Sequence, residues 1–140
     1  MKKILTLSLL LIFSINSFSQ SKEDCLSNLS IFAEYAKVKN YDAAYEPWLE
    51  VKSQCPKLNI AIYVYGERLL KSFIKKSEGN KRDEYQEDLL DLYDEWLKHF
   101  SKSKSGKNET GKILAIKAQT MIDYKLADNE TIYDVYDMAF

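Results

Sequence analysis

At 140 residues, with 46% hydrophobic and 13% aromatic content, the chain can bury the core of one packed domain and is not a disordered polypeptide. A formal net charge of −1 lacks the basic excess that selects nucleic acid or an anionic membrane surface. One histidine, His99, gives no basis for a catalytic triad or a His-rich metal site, and no phosphate-loop or dinucleotide motif occurs.

Residues 1–19 read as an export signal. Lys2 and Lys3 form a positive start, Ile4 to Ile15 an apolar stretch, and Ser17 and Ser19 place small residues at signal-peptidase spacing. The apolar stretch is well short of the roughly 20 residues a spanning helix needs. Cleavage after Ser19 leaves a mature domain, 20–140, that has lost two lysines and holds 18 basic against 21 acidic side chains, a net of −3. Cys25 follows Lys22-Glu23-Asp24, where lipidation would require small and apolar residues. The expected location is exported, periplasmic or secreted, with no stable membrane insertion once the signal is removed.

Beyond the signal, apolar residues recur at three and four, which predicts helix throughout and no strand. Helix one covers about 22–38, with Leu26, Leu29, Ile31, Phe32, Tyr35 and Ala36 as its apolar set. Asn40 caps helix two, which ends near Cys55 because Pro56 cannot continue it. Pro47 lies inside that helix, removes one backbone hydrogen bond and predicts a kink. Helix three covers about 58–76 and is stopped by Ser77-Glu78-Gly79-Asn80. Helix four, about 82–100, aligns Tyr85, Leu89, Leu92, Tyr93, Trp96 and Leu97 on one face. Ser101 to Thr110 is the most polar connection and is expected to be mobile. Helix five covers about 111–126, and Asp128 or Asn129 caps a last helix that runs to Phe140. The fold class is all-α, paired as antiparallel hairpins at about 22–56, 58–100 and 110–140.

Within these helices Ala44-x3-Trp48-x2-Val51-x4-Pro56 is followed, after five residues, by Ile62-x2-Tyr65-Gly66-x2-Leu69. That spacing matches one helical-hairpin repeat closing and the next one opening. Ile31 and Tyr35 take opening-helix positions in the first hairpin, where Asn28 and Phe32 depart from the pattern. Leu89-x3-Tyr93-x2-Trp96 closes the second, with about eleven extra residues assigned to its inner turn. Leu114, Ala118 and Met121 open the third, and Ile132, Tyr136 and Ala139 begin to close it. On these residues, segment 22–140 resembles secreted or periplasmic tetratricopeptide-repeat (TPR) proteins of Gram-negative bacteria.

The resemblance implies hairpins stacked as a TPR-like right-handed α-solenoid, with no catalysis and no cofactor. Its concave groove, lined by the opening helices, would hold a protein or peptide partner. Candidate contacts are then Tyr63, Glu67 and Lys71 on helix three, with Lys37, Lys112, Gln119 and Asp123 on flanking helices. Tyr63 is expected to face the partner, so that truncating it weakens capture and spares the fold. Tyr35, Tyr65, Tyr93 and Tyr136 are assigned to the core, and Gly66 to close helix packing. Leu29 and Ala33 are apolar where chaperone-binding repeats carry a basic clamp. The third repeat lacks its terminal proline and leaves Tyr133, Tyr136, Met138 and Phe140 to cover. The chain is therefore expected to be the start of a longer array, or to self-associate through its C-terminal helix.

Cys25 and Cys55 each lie 15 residues from Asn40, which brings them to the same end of an antiparallel pair. In an oxidising compartment this predicts a disulfide, the alternative being two separate thiols. Residues 67–82 hold six bases against two acids, 83–95 hold seven acids and no base, and 98–112 hold five bases against one acid. Alternating sign is expected to set helix register, or else to serve an external charged partner. Glu87, Asp88, Asp91, Asp94 and Glu95 lack the glycine-containing loop of a calcium site and read as a solvated face. The functional expectation is an exported non-catalytic scaffold. Its rivals are a structural, self-assembling module and the N-terminal part of a larger envelope protein with activity elsewhere.

Overall fold

The computed structural model describes residues 22–140; the export signal assigned to 1–19 lies outside them. The described residues are all-α, with six helices and no strand. They divide between Leu58 and Asn59 into two compact units.

In the first unit, α1 (residues 22–37) is followed by α2 (Tyr41–Gln54). Lys39 adopts the left-handed conformation at φ 60°. Its amide reaches the Ala36 carbonyl at 3.1 Å and the Asn40 amide reaches Tyr35 at 2.9 Å, so the last carbonyls of α1 are satisfied by the turn. Asn40 then accepts the Ala43 amide on its side chain at 3.4 Å and starts α2. At the other end Cys25 is bonded to Cys55, their Cα atoms 6.2 Å apart. A short turn at one end and a covalent tie at the other make α1 and α2 an antiparallel pair.

The tie also decides which face of α1 turns inward. Phe32 and Ala36 lie seven and eleven residues beyond Cys25, on the same side of the helix, and all three are buried. Ile31 and Tyr35 sit one residue earlier in each case, about 100° away around the helix, and are exposed. Their assignment to a repeat core is corrected accordingly, and Leu26 is likewise exposed. The corresponding positions of α2, Ala44, Trp48 and Val51, are buried. Helix α2 continues through Pro47.

The second unit contains α3 (Ala61–Lys76), α4 (Gly79–Phe100), α5 (Thr110–Tyr124) and α6 (Asn129–Asp137). Helix α3 starts three residues later than the sequence predicts, because the Asn59 side chain accepts the Ala61 amide at 2.9 Å and holds the chain in a turn first. Only Ser77 and Glu78 separate α3 from α4, and Gly79, at φ +54°, takes the left-handed conformation at the first residue of α4. The extra residues assigned to an inner turn are therefore helix, most of them in the 22-residue α4. The expectation of a long inner turn is corrected on that ground.

Packing runs between successive helices, α3 on α4, α4 on α5 and α5 on α6. Ile62, Leu69, Leu70 and Ile74 of α3 are completely buried, as are Leu89 and Leu92 of α4. Leu114, Ala118 and Met121 of α5 pack with Val135 of α6. The 101–109 connection is a bonded turn, with the Ser103 amide on Lys107 and the Glu109 amide on Ser101, each at 2.8 Å. Lys125 repeats the left-handed exit of Lys39 at φ 56°. The Leu126 amide bonds Met121, and Asp128 accepts the Thr131 amide at 2.7 Å to open α6. That amide holds the Asp128 carboxyl below its ordinary value. Gly111 lies where a Cβ would strike the Ala139 carbonyl, so only glycine lets the chain beyond α6 come this close to α5. Helix α6 ends at Asp137, three residues short of Phe140, and Met138 and Phe140 stay exposed.

Candidate functional site

Helices α3, α5 and α6 of the second unit surround a concavity of about 570 Å³. Glu67 and Lys71 line one wall from α3, and Lys112, Ala115, Ile116, Gln119 and Thr120 line the other from α5. Tyr136 of α6 closes the edge. The structure thus brings four sequence-chosen residues, Glu67, Lys71, Lys112 and Gln119, onto one surface. Gln119 also donates to Asp123 Oδ1 at 2.8 Å, which sets the fifth candidate beside the same wall.

Tyr93 of α4 supports this surface from behind. Its hydroxyl donates to Glu67 Oε1 at 3.0 Å, and the same oxygen accepts Lys71 Nζ at 2.7 Å. A phenol has one hydrogen, so the 3.0 Å bond between Tyr93 and Thr120 is donated by the Thr120 hydroxyl. The chain Lys71–Glu67–Tyr93–Thr120 joins three helices through side chains of which Tyr93 and Thr120 are buried. Burial, foremost, and the nearby Glu67 carboxylate push the Tyr93 phenol well above its ordinary value, while the Thr120 hydrogen bond pulls in the opposite direction. Glu67 and Lys71 are consequently held in place before any ligand arrives, which lowers the entropic cost of a contact.

Two candidates fall elsewhere. Tyr63 has no exposed surface: its ring lies 6.2 Å from that of Trp96 and 5.6 Å from that of Phe100. It is a core residue, and its assignment to a groove wall is corrected. The reason is helical phase: Tyr63, Leu70 and Ile74, spaced seven and four apart, form one buried line. Lys37 belongs to the first unit, where it pairs with Glu34 at 2.7 Å. Tyr65, assigned to the core, is half-buried with the Arg68 guanidinium 5.4 Å from its ring centre. Tyr136 is also half-buried, its hydroxyl 3.4 Å from Gln119 Oε1.

Ala115, Ile116, Thr120 and Tyr93 were not among the sequence-chosen contacts. Thr120 carried a usable signal, since it lies seven residues after Ile113 on the buried side of α5, where a hydroxyl requires a partner. Between α5 and α4, Lys117 Nζ lies 2.6 Å from Asp94 Oδ1, although Lys117 is outside the basic stretch 98–112. Lys112 is 4.0 Å from Glu109, the residue that precedes α5. Among the described residues no three His, Cys, Asp or Glu side chains gather as a metal site, and no helix is long and apolar enough to cross a membrane. The Cys25–Cys55 bond is compatible with an exported protein. No protein-family model, curated protein or solved structure matches the chain.

Proposed function

We propose that this protein is an exported, non-catalytic scaffold that holds a peptide or protein segment in the concavity between α3 and α5. The observation that carries the reading is the fixed Lys71–Glu67–Tyr93–Thr120 chain beneath an open surface. It presents a carboxylate and an ammonium beside the apolar Ala115 and Ile116 side chains. Such a mixture suits a peptide, whose backbone needs polar partners and whose side chains need apolar ones. The finer architecture proposed is hairpins stacked as a TPR-like right-handed α-solenoid. Packing of each helix of residues 59–140 on its chain neighbours supports it. The proposed setting is outside the cytoplasm, a reading that draws on the signal-like N-terminus and with which the disulfide is compatible.

A photocrosslinking amino acid at Gln119, with a control at Asn80, tests the reading in the native envelope. Discrete adducts from Gln119, lost when Ile116→Glu places a charge in the concavity, are expected. Absence of adducts from Gln119 would reject the groove. A second reading, self-association through the C-terminal helix, draws on the exposed Tyr133, Met138 and Phe140. Light scattering across a concentration series decides it, and a concentration-independent monomer removes it.

A further inference from the structure

Beside the peptide concavity and sharing Lys71 with it, the second unit has another hollow, of about 640 Å³. Arg68, Lys71, Ser72 and Lys75 line it from α3, Arg82 from the start of α4 and Tyr124 from the end of α5, with Ile74 at its base. Four cations converge there and no carboxylate is among the lining residues. Lys71 is compensated by Glu67. Arg68 has a ring contact with Tyr65, and among the described residues the Lys75 and Arg82 side chains have no ion pair or hydrogen bond. Like charges gathered in a hollow raise its potential, and low-dielectric walls concentrate the field, so an anion entering it is bound by several cations at once.

We infer that this basic hollow receives the carboxylates of an acidic peptide segment, as an extension of the scaffold groove on which the inference rests. Arg68, Lys71 and Lys75, at i, i+3 and i+7, form one row along α3, and Arg82 faces that row from another helix. An extended segment places side chains on the same side every second residue, about 6.5–7 Å apart. That pitch lets two acidic residues reach different cations while an apolar neighbour lies toward Ile116. The shared Lys71 makes the two hollows a continuous track.

A longer polyanion fits less well. Nucleic acid carries charge along its whole length and needs a basic groove that follows the backbone. Here the four cations line one hollow of limited length, Arg68, Lys71 and Lys75 within two turns of α3 and Arg82 on α4. A short acidic segment matches a set of cations of that extent.

The test uses a short dye-labelled peptide of alternating glutamate and leucine, its glutamine counterpart, a single-stranded oligonucleotide and vesicles containing anionic lipid. The glutamate peptide should bind at least about tenfold more tightly than the glutamine peptide, and lose affinity as salt is raised. The double variant Arg68→Gln/Arg82→Gln should weaken the glutamate peptide about tenfold without altering helicity, whereas binding of the glutamine peptide stays unchanged. Lys75→Glu, at an exposed side chain, provides a second variant with the same expected direction. Equal binding of the two peptides, or affinities indifferent to both variants, overturns the inference. Tighter capture of the oligonucleotide or the vesicles than of the glutamate peptide overturns it too. If Gln119 adducts persist in the double variant and the peptides bind alike, the acidic ligand is rejected and the scaffold groove stands. Selective binding of the glutamate peptide without Gln119 adducts supports the basic hollow and rejects the groove.

Discussion

Tyr93 donates its hydroxyl hydrogen to Glu67 across 3.0 Å, tying the buried side of α4 to a residue on the wall of the concavity. The bond places core and surface under one constraint. Any change in Tyr93 is felt by Glu67 and, through it, by Lys71.

Tyr93→Phe keeps the ring and removes the hydroxyl, so Thr120 and Glu67 each lose a partner in a buried or half-buried place. The expected loss of stability is about 2–3 kcal/mol, more than a neutral surface hydrogen bond is worth. Urea denaturation measures it. A change below about 0.5 kcal/mol would mean that water replaces the hydroxyl without cost.

Both Tyr63 and Tyr93 have phenols held above the ordinary value of 10.0, chiefly by burial. The unfolded chain therefore releases these protons first as pH rises. Their contribution to stability is complete below about pH 10, and it falls as pH climbs from there toward the folded-state values. Each tyrosine can add a slope of up to about 1.4 kcal/mol per pH unit. Thermal melting followed across alkaline pH, together with tyrosinate absorbance of the folded state, checks the sign. A melting temperature that rises above pH 10 contradicts the assignment.

Tyr63→Ala is expected to cost about 3–5 kcal/mol, as large truncations in a packed core do. Sequence reasoning expected a surface change with intact melting. Calorimetry separates the two, because a groove residue would leave the transition where it was.

Reducing Cys25–Cys55 opens a loop with a sequence separation of 30 and should cost up to about 3.6 kcal/mol in the chain-entropy model. Trp48 lies in the first unit and Trp96 in the second. In a Trp96→Phe background, Trp48 fluorescence under reducing conditions should therefore show an earlier transition than in the oxidised protein. Coincident transitions would show that the bond contributes little.

Lys39→Gly and Lys125→Gly should each stabilise the protein by up to about 1 kcal/mol. Both lysines occupy left-handed conformations in which a Cβ is crowded, and glycine relieves it. Denaturant midpoints measure the gain. A loss at either position would assign a packing role to that lysine's stem.

The helices, the Asn40 cap, the stop before Pro56 and the pairing of Cys25 with Cys55 were legible in the order of residues, and the last cap was narrowed to Asp128 or Asn129, of which Asp128 caps. These are local matters: periodicity, a short side chain returning to its own backbone, and two sulfurs equidistant from a turn. Four of the concavity's lining residues were also chosen from the sequence, Glu67 and Lys71 one turn apart on α3 and Lys112 and Gln119 two turns apart on α5, whereas Ala115, Ile116 and Thr120 were not. What needed three dimensions was rotational phase. Ile31 against Phe32 is a difference of one residue, and the disulfide turned α1 so that Phe32 went inside. Tyr63 offered either a core or a groove position, and the neighbouring Trp96 and Phe100 rings decided for the core. The Glu67–Tyr93–Thr120 chain spans 26 and 27 residues between its bonded pairs. No local pattern announces a contact of that range, since it exists only once three helices have packed side by side.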